Sequence, residues 1–155
     1  MSKTIRKLVL KYERVAVAEE AAPYGENACC SGDVARVARL AKALLSEEPT
    51  EVFLVFLLDN KHRVLGYHEV ARGGLATCAV EPASIVWAAL IANAPAIVMA
   101  HCHPSGDPTP SDVDIEFTRS AVKAAKMLGI RVLDHVIVGD GVHVSLLDRG
   151  SMPSS

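Results

Sequence analysis

The chain has 155 residues, of which 50% are hydrophobic and 22% are charged, and its formal net charge at pH 7 is −2. This composition excludes an intrinsically disordered chain and predicts one domain with one hydrophobic core. The slight negative charge gives no general electrostatic reason to bind nucleic acid, which favours basic surfaces.

Residues 1–30 are predicted to contribute one strand and a loop to this domain. Hydrophobic residues favour a strand over 8–17, and Pro23 and Gly25 favour a loop over 21–30. The segment is positively charged but has no apolar stretch typical of a secretory signal peptide. Because the four cysteines form no Cys-x-x-Cys pair, we expect reduced thiols and a cytoplasmic location.

Residues 31–150 alternate between helical and strand patterns. Hydrophobic residues at helical spacing predict a helix from an N-cap at Ser31 to about Leu45. The continuous apolar run 52–58 is typical of a central strand that is covered on both faces. Three segments follow: an antiparallel partner strand over 64–71, a third strand over 75–80, and a nearly all-apolar helix over 83–93. We expect this helix, which includes Trp87, to be central.

The remaining elements complete an α/β domain with a mixed central sheet flanked by helices. They are a strand over 96–101, a helix over 111–128, strands over 132–138 and 142–147, and a disordered tail over 151–155. The uncharged stretch 82–100 is interrupted by Ser84, Asn93 and Pro95. A buried helix and strand therefore fit this stretch better than a membrane span.

Two histidines follow the apolar strand segment, in the order His101-Cys102-His103. Side chains alternate between the two faces of a strand, so His101 and His103 project to one side and Cys102 to the other. Two imidazoles aimed at one point from a rigid strand end are a natural start for a zinc site. If the backbone twists here, the Cys102 thiolate could instead compete as a ligand.

A loop rich in proline and glycine connects the histidines to Ser111-x-x-Asp114, at the start of the next predicted helix. Taken alone, Ser-x-x-Asp is an ordinary helix capping box. With the histidines upstream, however, Asp114 can supply a carboxylate oxygen as the third ligand. Two histidines, one carboxylate and a water form an open, catalytic zinc shell, whereas structural zinc is usually closed by four protein ligands.

The string HCHPSGDPTPSDVD resembles the JAMM motif of JAB/MPN-type metallo-isopeptidases, and specifically the RadC-type branch, which usually has Asn in place of Cys102. Similar strings occur at 53–74 and 134–139, so the resemblance covers roughly residues 30–150. It implies an MPN (JAB)-like domain with cytidine-deaminase-like layering. It also implies a zinc-dependent hydrolase of peptide or isopeptide bonds, with a protein or peptide as substrate.

In this family, a glutamate on a strand upstream of the histidines takes the proton from the water that zinc activates. The candidate here is Glu69, which alternation places with Leu65 and Tyr67, where partial desolvation suits a shuttling base. Two alternatives stay open. Glu69 could simply face solvent, or Glu81 could be the base instead. Ser111 is expected to donate a hydrogen bond to the developing oxyanion.

Other functions stay open at this point. RadC-type proteins are traditionally described as DNA-repair factors, so the alternative is a non-catalytic binding module linked to DNA repair. The full-length family has an N-terminal helix-hairpin-helix region for which we expect no room here, so nucleic acid is the less favoured partner. Deaminase chemistry would require His-x-Glu and Pro-Cys-x-x-Cys, which the chain lacks. The sequence assigns no role to His135 and no oligomeric state.

Overall fold

The computed structural model describes residues 11–13, 34–73 and 80–153. Within these ranges the chain forms three helices and five strands. In chain order they are α1 (Val34–Leu45), β1 (Val52–Leu58), β2 (Val64–Arg72), α2 (Pro82–Ile91), β3 (Ala96–Cys102), α3 (Asp112–Met127), β4 (Arg131–Val138) and β5 (His143–Ser145).

The five strands form one mixed sheet in the order β2-β1-β3-β4-β5. Strand β1 is antiparallel to both β2 and β3, β3 is parallel to β4, and β5 is antiparallel to β4. Every residue of β1 and β3 is buried. Their continuous apolar sequences reflect this position, because central strands that are covered on both faces need hydrophobic residues on both.

Helices cover the sheet on both sides. On the side that we call the α1 face, Leu54 and Phe56 of β1 pack with buried residues of α1. On the opposite side, the α3 face, Phe53 and Val55 pack with buried residues of α2 and α3. Successive residues of β1 therefore belong to two separate hydrophobic cores, as the twofold alternation of a strand requires.

The predicted α/β class, the mixed sheet and most elements are confirmed. The N-cap at Ser31 and the loop over 21–30 lie outside the described residues, as does the strand over 75–80 except for Val80. Of the strand over 8–17, residues 11–13 are described and have no regular structure. The helix over 111–128 is present as α3, with Ser111 as its N-cap.

Helix α2 is less central than its sequence predicted. Ile85 and Ala89 are fully buried, but Trp87 is 58% exposed and Leu90 is 52% exposed. A helix that is apolar nearly all round does not reveal from its sequence which face is buried. The indole ring of Trp87 lies 6.4 Å from the ring of His68 on β2, measured between ring centroids.

The C-terminal segment stays packed beyond the point where a disordered tail was predicted. The main-chain N–H of Ser151 donates to the carbonyl oxygen of Leu146 at 2.8 Å, and residues 151–153 are half-buried. Among the described residues, no helix is long and apolar enough to cross a membrane. The uncharged stretch 82–100 instead supplies α2 and most of β3.

Candidate metal centre

The two histidines and Asp114 meet at the C-terminal end of β3, on the α3 face of the sheet. His101 is the penultimate residue of β3, His103 follows the strand, and Asp114 lies in the first turn of α3. His101 is completely buried and Asp114 is 2% exposed, whereas the His103 side chain is 20% exposed. The cluster is therefore held by the core and opens to solvent beside His103.

The distances between the ligand atoms fit one small metal ion. His101 Nε2 lies 3.0 Å from His103 Nε2 and 3.1 Å from Asp114 Oδ1, and His103 Nε2 lies 3.5 Å from Asp114 Oδ2. A tetrahedral ion with bonds of about 2.0–2.1 Å requires ligand atoms about 3.3 Å apart. Within the described part of the chain, these three residues are the one group of histidine, cysteine and carboxylate ligands close enough to hold a metal ion.

Asp114 has a second role as part of a helix cap. The N–H and the hydroxyl of Ser111 donate to Asp114 Oδ2 at 2.7 and 2.6 Å, and Asp114 N–H donates to Ser111 Oγ at 3.2 Å. The capping box and the ligand group thus occur together, as the sequence allowed. Because Ser111 occupies Oδ2, Oδ1 is the oxygen most available to a metal ion.

The surroundings of Asp114 favour its ionised form. Burial opposes ionisation, but the contacts with His101 and the hydrogen bonds from Ser111 outweigh it and lower the pKa of Asp114 below its usual range. Asp114 is therefore a carboxylate at neutral pH, as a metal ligand must be.

The loop after β3 orients the ring of His103. The Nδ1 atom of His103 lies 2.8 Å from the carbonyl oxygen of Asp107, which can only accept a hydrogen bond. The hydrogen is therefore on Nδ1, and the lone pair of Nε2 is left for a metal ion. The loop is itself tied to the turn after β4, because Asp140 N–H donates to the carbonyl oxygen of Gly106 at 2.9 Å.

His135, to which the sequence assigned no role, contacts the buried ligand His101. Its Nε2 atom lies 2.9 Å from His101 Nδ1, and its Nδ1 atom lies 2.6 Å from Thr118 Oγ. The ring of Phe53 stacks on His101 with the centroids 5.7 Å apart. Burial, reinforced by the neighbouring His101, lowers the pKa of His135 well below its ordinary value.

Cys102 points away from the cluster, as alternation along β3 predicted. Its Sγ atom lies 3.4 Å from both the carbonyl oxygen of Thr50 and the N–H of Val52, on the α1 face. Burial raises the pKa of its thiol, which further disfavours a thiolate. The Cys102 thiolate therefore does not compete for the metal position in this structure.

The structure does not bring Glu69 to the other predicted site residues. Glu69 pairs with Leu54 across the β1–β2 ladder and so lies on the α1 face, opposite the histidines. Its side chain is 41% exposed, and its carboxylate accepts two hydrogen bonds from Arg72, both at 2.9 Å. Glu69 shares this face with Tyr67, as alternation predicted, and lies on the side of the sheet opposite the histidines.

Two other glutamates lie on elements that form the α3 face. Phe53 pairs with His101, and extending this antiparallel register by two residues sets Glu51 opposite His103 on the α3 face. Glu51 is half-buried. Glu81, the second candidate, is the exposed N-cap of α2. The sequence did not single out Glu51, although its position just before a predicted central strand was an available signal.

Comparison with known proteins identifies the family of the chain. The model of the RadC-like JAB domain family matches residues 31–151. A UPF0758 protein of Pseudomonas syringae pv. tomato is 44% identical over 118 residues, which are 76% of this chain and 53% of the relative. A UPF0758 protein of Pseudomonas putida is 38% identical over 125 residues, which are 81% of this chain and 55% of the relative. A UPF0758 protein of Pelobacter propionicus is 45% identical over 100 residues, which are 64% of this chain and 44% of the relative.

The chain spans about half the length of the curated relatives that it matches. The matched part contains the whole ligand cluster, the sheet and the three helices. A family match over this much of the chain leaves one conclusion: the chain belongs to the RadC-like JAB domain family.

Proposed function

We propose that this domain is a zinc-dependent hydrolase of peptide or isopeptide bonds. The observation that carries the proposal is the convergence of two imidazole nitrogens and one carboxylate oxygen, 3.0–3.5 Å apart, at a solvent-accessible end of the sheet. The resemblance of the motif to that of JAMM metallopeptidases supports the same reaction class.

Zinc is the metal that best suits these ligands. Nitrogen and carboxylate oxygen are common zinc ligands, and catalytic zinc sites typically combine three protein ligands with one open position. His101, His103 and Asp114 would hold the ion, while Cys102 points to the opposite face and does not close the shell. When bound there, zinc would supply a Lewis acid that acidifies a water and polarises the substrate carbonyl.

Glu51 is our proposed general base. Its position in the β1–β3 register, opposite His103, brings it to the face of the sheet that carries the ligands, and it is not one of the three ligands. A half-buried carboxylate there can accept the proton of the attacking water and deliver it to the leaving amine. Glu69 cannot take this role without crossing the sheet.

Ser111 is our proposed donor to the oxyanion that develops on the scissile carbonyl. Its hydroxyl lies 2.6 Å from Asp114 Oδ2 and is thus next to the ligand group. To donate to a substrate oxygen, the hydroxyl would turn away from Asp114 Oδ2, to which the main-chain N–H of Ser111 would continue to donate. A hydrogen-bond donor at this position would stabilise the transition state.

A phosphodiesterase is less well supported than an amide hydrolase. Such an enzyme would need cationic groups beside the metal to bind phosphate, and residues 103–112 contain none except His103 itself. Arg119, the nearest arginine downstream, is exposed and pairs with Glu116. The loop instead carries Asp107, and α3 begins at Asp112; both carboxylates would repel a phosphodiester.

The proposal is tested with zinc-loaded protein on a panel of fluorogenic peptides and peptides that contain a lysine ε-amide bond. We expect hydrolysis that is lost in the presence of a chelator. Glu51→Gln should retain zinc and lower turnover by about two to four orders of magnitude, the usual range for a general base. Glu69→Gln, the same change on the opposite face, should leave turnover near the parent value.

Two results would contradict this account. If the parent protein hydrolyses no member of the panel above the chelated control, the hydrolase proposal fails. If Glu69→Gln abolishes turnover while Glu51→Gln does not, the assignment of the base fails and the metal site is unaffected.

A further inference from the structure

We propose that Thr118 and His135 are positioning residues that fix the tautomer and the ring orientation of the metal ligand His101. The proposal rests on the metal site described above and does not depend on the reaction that the site performs. This role explains why the polar side chains of Thr118 and His135, which are not part of the motif, are completely buried beside His101.

The direction of the hydrogen bonds that link Thr118, His135 and His101 is set at Thr118. Thr118 Oγ lies 2.6 Å from the main-chain carbonyl oxygen of Asp114 and 2.6 Å from His135 Nδ1. A carbonyl oxygen can only accept, and the hydroxyl has one hydrogen to donate. Both contacts are therefore satisfied together only when Thr118 donates to Asp114 and accepts from His135 Nδ1–H.

The direction set at Thr118 passes through His135 to the ligand. With its hydrogen on Nδ1, the neutral His135 ring has a lone pair on Nε2, which faces His101 Nδ1 at 2.9 Å. His101 must then carry a hydrogen on Nδ1 and donate it to His135. Its other nitrogen, Nε2, lies 3.0 Å from His103 Nε2 and is the atom that a metal ion would bind in place of any proton held there.

Burial makes this arrangement rigid. Thr118, His101 and His135 are each 0% exposed, so water cannot compete for these hydrogen bonds. Phe53 adds an apolar wall, with its ring centroid 5.5 Å from that of His135. The contacts also start at the main chain of one ligand, Asp114, and end at the ring of another, His101, so they couple α3 to β3 through β4. Outer hydrogen bonds of this kind orient ligands and tune their basicity.

Thr118→Val tests the inference, because valine has nearly the shape of threonine but cannot accept from His135. Without that acceptor, His135 is free to carry its hydrogen on Nε2 and donate it to His101 Nδ1, which moves the His101 hydrogen onto the metal-binding nitrogen. We expect zinc affinity, measured by competition with a chromogenic chelator, to fall about 10- to 100-fold. Thr118→Ser keeps the hydroxyl and should stay within a few-fold of the parent.

Ser145→Ala is the matched control. It also removes a buried hydroxyl beside β4, but that hydroxyl donates to Asp134 Oδ2 and contacts no ligand. We expect its zinc affinity to equal that of the parent. Thermal unfolding of all three variants without metal separates a general loss of stability from a loss of ligand orientation.

The tautomers are read directly from the ¹⁵N chemical shifts of the histidine rings in the metal-free protein. We expect His135 in the Nδ1–H form in the parent and in Thr118→Ser. An Nε2–H form of His135 in the parent would overturn the inference, even if the valine variant does not fold. Unchanged zinc affinity in a folded Thr118→Val would overturn it as well.

These measurements use no substrate. A protein that binds zinc with the expected tautomers but hydrolyses nothing would contradict the proposed function and leave this inference standing. A protein that hydrolyses peptides while His135 carries its hydrogen on Nε2 would support the proposed function and contradict this inference.

Discussion

Asp114 combines a structural role with a proposed chemical one. One carboxylate oxygen accepts two hydrogen bonds from Ser111 in a helix cap, and the other faces His101. Sequence reasoning predicted both roles, because the spacing of Ser111 and Asp114 is local. It could not place Glu69 relative to the histidines, because alternation tells which residues share a face of a strand, whereas the face that meets the histidines depends on strand pairing.

Replacing Ser111 tests the structural role of this residue. Ser111→Ala removes the acceptor for Asp114 N–H and one of the two donors to Asp114 Oδ2. We expect the free energy of unfolding to fall by about 1 kcal/mol, which is typical of a lost N-cap. Ser111→Thr keeps the hydroxyl, so its free energy of unfolding should fall by less than that of the alanine variant. Chemical denaturation of the metal-free proteins checks this, and equal stability of the alanine variant and the parent would contradict the capping role.

Between elements, the candidate metal site lies beside the contact of the loop after β3 with the end of β4 and the turn that joins it to β5. His103 N–H donates to the carbonyl oxygen of Val138, and Asp140 N–H donates to that of Gly106, both at 2.9 Å. The sequence predicted the loop and the turn separately but not their contact, because residues 106 and 140 are far apart in the chain. The exposure of Trp87 was missed for a similar reason, since burial of one helix face depends on what packs there.

The loop after β3 and the turn after β4 approach each other most closely at Gly139. A Cβ atom on Gly139 would lie 2.2 Å from the carbonyl oxygen of Gly106, so Gly139→Ala must push the loop away. We expect a loss of about 1–3 kcal/mol in the free energy of unfolding, as for other overpacked sites, together with weaker zinc binding.

Gly141→Ala in the same turn provides the comparison. Its Cβ would meet no atom within 4 Å, and the cost of about 1–2 kcal/mol arises from its φ of +65°. Zinc affinity should therefore fall in Gly139→Ala and not in Gly141→Ala. An equal affinity in both variants would show that the loop contact does not position His103.

For the whole molecule, the fold class was predictable because hydrophobic runs and breaks mark the sheet strands and the helices on its two faces. The order β2-β1-β3-β4-β5 was not predictable from such local patterns, since it requires knowing which strands pair. That order sets β1 beside β3, and the proposed role of Glu51 depends on this pairing. The overall charge bears on partners rather than on fold.

The net charge of −2 predicts little affinity of this chain for DNA. Any binding should be weak, independent of sequence, and reduced further as salt rises, because it would depend on a few phosphate contacts. Fluorescence anisotropy with labelled duplexes at several salt concentrations measures this. Sub-micromolar binding that resists salt would favour the alternative of a binding module linked to DNA repair.

The most direct test of the central claim is the zinc content of the purified protein. Elemental analysis of protein prepared without added metal should find about one zinc per chain, bound by the two histidines and the carboxylate. His101→Ala and His103→Ala should each lose it. His68→Ala should retain it, because His68 is exposed on the same face of the sheet and contacts Trp87 instead. Zinc at the parent level in both ligand variants would contradict the proposed metal centre.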